Sequence, residues 1–487
     1  MVRIFAVQNL LDNSFVGINK LDFSNLVENL VLELTCNHSG ASRVVIAERE
    51  PVRFLASFVA ACIAKCQVFL CNPDWGDNEW RQVMDVVQPD IIWGKAQQVK
   101  KKLKGEAGKK ELTFQLSNSG LIMIPTGGSG GQVKFAVHTW ETLTASVKGF
   151  TEYFQLNQVN SVCVLPLYHV SGLMQFIRSS VTCGKLAIWT FKELVSGEVP
   201  DINPSDFFIS LVPTQLQKLL DNPEMTKWLS KFEAVLLGGA PAWDELLDRA
   251  RYHRIRLAPT YGMTETASQI VTLKPDDFLS GKRGCGQVLP HAKVLICDEN
   301  NQLLAANKIG KIIIQAKSLA LGYYLEYLKN QRSLLTPKSF TDSTCHASTN
   351  PNSSLLTFEI DDVGYFDEQG YLHIIGRSSN KIITGGENVY PEEVEAAIIA
   401  TKMVNDICVI GIPDKYWGQT VTAVYVPKYP NTSTFAIETI LKHSLSKYKI
   451  PKHWVSVPEL ARNLQGKINR KELQKIVIES NLRFLTS

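Results

Sequence analysis

Five short apolar runs constrain this chain more than anything else in it: SRVVIAE, VCVLP, FFISLVP, EAVLLGG and KVLICD. Each has the length and composition of a buried strand. Helical periodicity follows several of them, as in PTQLQKLLDN after FFISLVP. Strands of a parallel sheet need a crossover connection, usually a helix. The alternation therefore predicts an α/β protein built on two parallel-type sheets with helices on their faces. With 487 residues there is room for two or three domains with sizeable cores.

From Gly284 the pattern changes to short strands and turns, KVLICDENNQLL and GKIIIQA, which suits a small β subdomain. The stretch from Arg332 to Asn352, rich in Ser, Thr, Pro and Asn, is expected to be a surface loop. GRSSNK is short and polar, and a compact unit follows it. PEEVEAAIIAT opens with proline at a helix start, DICVIGIPD and TAVYVPK read as strands, and STFAIETILKHSLSKY as an amphipathic helix. The boundary is placed near Ser379, giving a large N-terminal domain over 1–378 and a small α+β domain over 379–487.

Charge and cysteine usage exclude several classes. Lys+Arg 51 against Asp+Glu 47 leaves +4, too weak to argue for nucleic acid as a partner. The most apolar run, FLASFVAACIA, is cut by Lys65, well short of the ~20 residues a membrane span needs, and reads as a buried helix. The opening MVRIFAVQNLLDNSF lacks the pattern of a signal peptide. Most of the ten cysteines sit in apolar runs, and Cys62, Cys66 and Cys71 have no partner pair at zinc spacing. Buried free thiols and a cytoplasmic location are expected.

Four motifs carry chemistry. In IMIPTGGSGGQVKFA a strand runs into a glycine-rich loop, where successive N–H groups can close on one anion. Thr126 and Ser129 add hydroxyls and Lys134 a charge, but the Gly-Lys-Ser/Thr of a P-loop is missing. A glycine-rich hairpin explains the loop about equally well. In APTYGMTETAS, Tyr261 can stack on a base and Thr264 can bond a phosphoryl oxygen. Glu265 can hold Mg²⁺, which takes oxygen ligands and shares them with substrate phosphates. The bland alternative is a helix N-terminus at Thr264 or Thr266. Asp362 is an acceptor suited to two ribose hydroxyls, with Arg377 fifteen residues on. In RNLQGKINR, Lys467 stands in a glycine-preceded turn before a helical stretch, a mobile ammonium fit to neutralise charge in a transition state.

In order and spacing, these motifs resemble the adenylate-forming superfamily of acyl- and aryl-CoA ligases, peptide-synthetase adenylation domains and firefly-type luciferases. The resemblance spans nearly the whole chain. It implies that Thr126, Gly127, Gly128, Ser129, Gly130, Gly131 and Lys134 form the phosphate loop. It assigns Tyr261, Gly262, Met263 and Thr264 to adenine and phosphate, Glu265 to the metal, and Asp362 and Arg377 to the ribose. LLGGAPA, with Gly239 and Ala240, resembles the adenine-pocket segment. Lys467 and Thr264 take catalytic positions, Ser379 is the hinge of a mobile C-terminal domain, and Gly385 and Gly386 line a tunnel for CoA. ATP, Mg²⁺ and CoA are implied, with a small carboxylic acid as the other substrate. A carrier protein in place of CoA is the alternative.

The chain departs from the family at several places. Ser129 and Gly130 replace two threonines, and Val133 and Phe135 flank the lysine in place of Pro and Gly. Ile360-Asp361 replaces Thr-Gly, Ser379 replaces the usual Asp or Lys, and Ala461 replaces a proline. Between the phosphate loop and the adenine motif lies LPLYHVSGLMQFIRSS, where His169 and Gly172 match a segment near the acyl channel. For His169 a hydrogen-bonded core role is the alternative. Arg178, nine residues on in an apolar stretch, needs an anionic partner if buried. An arginine stands at a similar offset in a branch of the family whose acid keeps a second, unreacted carboxylate. His169 and Arg178 are therefore expected to bind the acid.

Overall fold

The computed structural model describes residues 14–18, 20–37, 42–94, 120–127, 133–332, 356–384, 387–414, 416–460, 462 and 468–485. The chain forms two compact units. One comprises Met1–Pro241, Ala250–Val294 and Ile314–Phe358; the other comprises Ala242–Arg249, Leu295–Ile313 and Glu359–Ser487.

A five-stranded sheet runs in the order Ile91–Gly94, Arg43–Ala47, Gln67–Leu70, Ile122–Gly127 (β1) and Val133–His138 (β2). The first four strands are parallel, and β2 returns antiparallel to β1 with Thr126 opposite Lys134. Most of FLASFVAACIA lies in the helix Pro51–Ile63, buried from Phe54 to Ala61. Pro51 opens that helix, and the Glu50 carboxylate accepts the Val52 amide at 2.9 Å. Phe58, fully buried on this helix, meets Phe176 edge-on at 6.3 Å between ring centroids.

Helix Trp140–Phe154 (α1) follows β2 and starts at a reciprocal cap between Thr139 and Thr142. Helix Val170–Val181 (α2) lies beside it. An eight-stranded sheet has the order Ser14–Val16, Lys185–Ile188, Asn160–Cys163, Phe207–Leu211, Ala234–Leu237, Leu257–Met263 (β3), Ser268–Thr272 (β4), Gln287–Val288. Its first six strands are parallel, β4 pairs antiparallel with β3, and Gln287–Val288 pairs antiparallel with β4. In open α/β sheets ligands collect outside the carboxyl ends of the strands. Here the LLGGAPA and YGMTE segments leave or finish their strands at that edge.

A four-stranded sheet follows, in the order Ala292–Cys297, Gly310–Ala316, Leu356–Phe366 (β5), Leu372–Arg377 (β6). The second unit has its own five-stranded sheet, with Gly418–Pro427 between Ile382–Thr384 and Val404–Asp414. Helices Pro391–Ala400 and Thr434–Leu441 cover it through Val394, Ile398, Ile437 and Leu441. The second helix is shorter than STFAIETILKHSLSKY suggests. The amides of Ser444 and Leu445 both turn back to the Leu441 carbonyl, at 3.0 and 2.8 Å, and end it.

Cys66, Cys71 and Cys163 are buried, and burial pushes the Cys66 thiol up to about 11. Cys36 and Cys183 are exposed, unlike the buried thiols expected; Cys183 lies in the turn after α2, at φ +55. Cys345 and the stretch 333–352 lie outside the described residues. Among the described residues, no helix is long and apolar enough to cross a membrane, and no three His, Cys, Asp or Glu side chains are grouped to hold a metal ion.

His138 ties the two large sheets together. Fully buried at the end of β2, it contacts Thr142 Oγ1 at 3.0 Å and the Thr264 carbonyl at 2.8 Å. Burial lowers its pKa from the ordinary 6.5 to about 4, so it is neutral when folded. Above pH 6.5 the imidazole is neutral in both folded and unfolded chains, and stability is full. Between 6.5 and about 4 only the unfolded chain takes up the proton, so stability falls by about 3 kcal/mol and then levels off. Denaturant unfolding followed from pH 7 to pH 4.5 should show this loss. His138→Gln, which cannot titrate there, should show a smaller one, and an equal loss would place the titration elsewhere.

Candidate active site

The sequence APTYGMTETAS folds into a turn between β3 and β4. Thr264–Thr266 make one turn of 3-10 helix rather than the start of a longer helix. Ala267 and Ser268 follow with φ of +52 and +97, a conformation that costs non-glycine residues energy and recurs at functional sites. Gly262 is needed where the strands close. A Cβ there would lie 2.1 Å from the Ser268 carbonyl oxygen, beside the register shift between Tyr261 and Gly262.

Three sets of contacts hold the turn. From the side of β2, His138 Nε2 donates to the Thr264 carbonyl. On a second side, the Ala320 amide donates to the Glu265 carbonyl at 2.8 Å, and the Tyr323 hydroxyl donates to Glu265 Oε1 at 2.7 Å. The same segment is stitched to β2: the Val137 amide donates to the Gly322 carbonyl at 2.9 Å, the Leu321 amide donates to the Val137 carbonyl at 2.8 Å, and Tyr323 bridges Ala136. Lys134 lies 5.1 Å over the Tyr323 ring. Thus Lys134 and Glu265, distant in sequence, share one tyrosine. The Thr264 hydroxyl has no protein partner among the described residues.

Glu265 is 8% exposed, and its one side-chain hydrogen bond comes from a neutral hydroxyl. No basic side chain among the described residues pairs with it. A buried carboxylate in this state lacks a countercharge. The donor set fits Mg²⁺, which binds through one or two carboxylates plus phosphate oxygens and water.

Arg178 forms the third hold. It is 3% exposed in the last turn of α2, and its Nη2 donates to Ser268 Oγ and Gln269 Oε1, both at 2.8 Å. Its guanidinium carbon lies 4.5 Å over the Phe150 ring. Burial draws its pKa down to about 10, which still leaves it charged at neutral pH. Its Nε is buried without a partner, and no carboxylate pairs with it among the described residues. His169 is the N-cap residue of the same helix and half-buried, with its ring against Tyr168 at 4.6 Å. Nine residues of helix separate the two by about 13 Å of rise, on opposite faces. The structure therefore does not bring His169 and Arg178 to one point.

Gly239, at φ +82, and Ala240 follow the carboxyl end of strand Ala234–Leu237, where the adenine segment was expected. Thr126 and Gly127 end β1, which lies against the Thr264 turn. In the second unit, Asp362 and Arg377 are direct partners across β5 and β6, which explains their spacing of fifteen residues. Arg377 Nε meets Asp362 Oδ1 at 3.3 Å. Ser379 lies in the 3-10 turn Ser378–Asn380, where its amide donates to Asp361 Oδ1 at 3.0 Å and its hydroxyl to Oδ2. Gly128, Ser129, Gly130, Gly131, Gly385, Gly386 and Lys467 lie outside the described residues. The flanks of the lysine segment pair, as a bridge joins Arg462 to Ile468.

Sequence reading missed His138, Tyr323 and Gln269. Gln269 directly follows the motif, and could have been suspected as a polar residue leading into the apolar pair Ile270-Val271. Nothing local marks the other two.

A family model described as AMP-binding enzyme matches residues 27–324, and one described as AMP-binding enzyme C-terminal domain matches 393–467. A 2-succinylbenzoate–CoA ligase of Listeria monocytogenes is 32% identical over 369 residues, covering 74% of this chain and 71% of that protein. One of Oceanobacillus iheyensis is 33% identical over 360 residues, covering 72% and 69%. Among solved structures, the o-succinylbenzoate CoA synthetase of Bacillus subtilis in complex with the acyl-adenylate intermediate OSB-AMP has a TM-score of 0.77 at 22% identity, covering 95% of each chain. The amide bond synthetase of Marinactinospora thermotolerans has 0.78 at 20% identity, covering 98% and 99%. The two solved structures share this chain's fold. With its motifs in family order on that fold and the family model matched over most of its length, the chain belongs to the AMP-binding enzymes.

Proposed function

We propose that the chain is an ATP-dependent, AMP-forming acid–thiol ligase that converts 2-succinylbenzoate to 2-succinylbenzoyl-CoA, a step towards menaquinone or phylloquinone in the cytoplasm. The carrying observation is Arg178, a buried cation with neutral partners and a spare N–H. Such a group is costly unless an anion completes it. 2-Succinylbenzoate has two carboxylates, one to react and one to be held. The names of the relatives agree with this reading.

A carboxylate resists attack by a thiol because its charge is delocalised and its leaving group is poor. In the first step its oxygen attacks the α-phosphorus of ATP, and the bond to the bridging oxygen of pyrophosphate breaks. Acyl-AMP and pyrophosphate result. Catalysis of this kind rests on positioning and on electrostatic stabilisation. The loop from Thr126 to Lys134 holds the β- and γ-phosphates, with Lys134 steadied by the Tyr323 ring. The Thr264 hydroxyl donates to a phosphoryl oxygen. Glu265 holds Mg²⁺, which when bound neutralises phosphate charge. Gly239, Ala240 and Tyr261 frame the adenine, Asp362 and Arg377 the ribose, and Lys467 meets the oxygens at the reacting phosphorus.

In the second step the CoA sulfur attacks the acyl carbonyl and AMP leaves. Residues 379–487 swing about Ser379 between the steps, withdrawing Lys467 and bringing Gly385 and Gly386 to the pantetheine arm. Hinges of this kind are a few residues at element ends that absorb backbone rotation. His169 stands at the reacting end of the acyl channel and Arg178 at its depth.

Two measurements test the reading, with coupled formation of AMP and 2-succinylbenzoyl-CoA as the assay. Removing one partner of a buried charge pair costs about 2 kcal/mol or more, so Arg178→Ala should raise KM for 2-succinylbenzoate by roughly thirtyfold, with KM for ATP little changed. An unaltered KM for the acid would refute the assignment. Lys467→Ala should nearly abolish acyl-AMP formation, yet spare thioester formation from supplied acyl-AMP. Equal loss of both half-reactions would rule out the two-conformation scheme.

A further inference from the structure

His291, which the reaction scheme does not use, stands next to Arg178 in a polar cluster. The strand pairing puts it there. Val271 and Thr272 of β4 pair with Val288 and Gln287, and the Leu289 amide donates to the Ile270 carbonyl at 2.8 Å. The Ala292 amide then donates back to the Leu289 carbonyl at 3.0 Å, so Pro290 and His291 form a turn off that strand, and the imidazole lies close enough to Arg178 to feel its charge. On its other side the imidazole rests on α1 at Gly149. A Cβ at Gly149 would lie 1.8 Å from His291 Nδ1. The next residue, Phe150, carries the Arg178 guanidinium on its ring. Glycine inside a helix is unfavourable relative to alanine, so α1 gives up helix propensity at the one place where the imidazole needs room.

Both nitrogens of His291 are buried without partners, as are Nε of Arg178 and Nε2 of Gln269. Buried polar groups are ordinarily hydrogen-bonded, and four unpartnered nitrogens on three neighbouring side chains call for an explanation. Water-sized and apolar occupants leave the guanidinium charge unmatched, whereas a carboxylate matches it and accepts several N–H groups at once. Burial and the charge of Arg178 lower the His291 pKa to about 4, so the imidazole is neutral and keeps one N–H to donate.

We infer that His291, with Gln269, is a specificity-determining residue that donates hydrogen bonds to the unreacted carboxylate of the acid, completing with Arg178 a recess that selects a dicarboxylic aryl substrate over its monocarboxylic analogue. This rests on the assignment of Arg178 to that carboxylate. It adds that charge alone does not set the selectivity and that the missing side chain at Gly149 makes room for the imidazole.

The test compares 2-succinylbenzoate with 4-oxo-4-phenylbutanoate, which lacks the ring carboxylate, in the full-length enzyme with ATP, Mg²⁺ and CoA. His291→Ala should raise KM for 2-succinylbenzoate about tenfold or more, the effect of one hydrogen bond to a charged group. KM for ATP, and the kinetics with 4-oxo-4-phenylbutanoate, should not change. Gly149→Ala, which displaces the ring, should reproduce this shift while the protein stays folded by thermal melting. His291→Gln keeps an N–H donor and should recover most of the affinity. Equal effects on both acids, or no effect of either His291 variant on 2-succinylbenzoate, would overturn the inference and leave the Arg178 assignment standing. A wild-type enzyme that activates 4-oxo-4-phenylbutanoate as well as 2-succinylbenzoate would bring down both.

Discussion

The turn from Thr264 to Ser268 is the constraint on which the site depends. Its last two residues sit at positive φ without being glycine, so it needs outside support. That support comes from three directions: His138 from the return strand of the β1–β2 hairpin, Tyr323 and Ala320 from the segment crossing it, and Arg178 from α2. Each hold is also a functional connection. The hairpin end, the acid that suits a metal and the buried cation are set relative to one another because all are fastened to the same few residues.

The supports are neutral where they face the backbone and charged only where a ligand would meet them. His138 is kept uncharged by burial and spends both nitrogens on protein groups. Glu265 and Arg178, by contrast, are buried and face neutral protein partners. An ionised group without a countercharge is expensive to bury, so each of these two is read most simply as half of a pair. The missing halves differ in sign. Glu265 suits a cation shared with phosphate, and Arg178 suits an organic anion. Apart from the family's motifs, this opposition of two groups fastened around one turn fits an enzyme that joins a nucleotide to an acid.

Some of this was readable from the chain and some was not. The strands SRVVIAE, FFISLVP and EAVLLGG and the helix in FLASFVAACIA followed from local patterning, because parallel buried strands are uniformly apolar and their crossover helices are periodic. Asp362 and Arg377 were legible as a pair because a hairpin puts residues of fixed spacing opposite each other. His138 and Tyr323 were not, since their partners lie 126 and 58 residues away and neither sits in a distinctive local pattern. His169 and Arg178 could be named from the sequence, but helix geometry, which sends positions nine apart to opposite faces, decides that they do not meet at one point.

The sequence by itself determined the fold class and the family, and it named the candidate site residues. Each of these is written in short contiguous stretches, where residue type and spacing act directly on local backbone and on intrinsic chemistry. Only the tertiary structure decided which groups are buried, which charges lack partners, and that one tyrosine serves both Lys134 and Glu265. Burial and pairing depend on which distant segments are brought together, and they set whether a lysine, glutamate or arginine is a solvated surface charge or an unbalanced one held ready for a ligand.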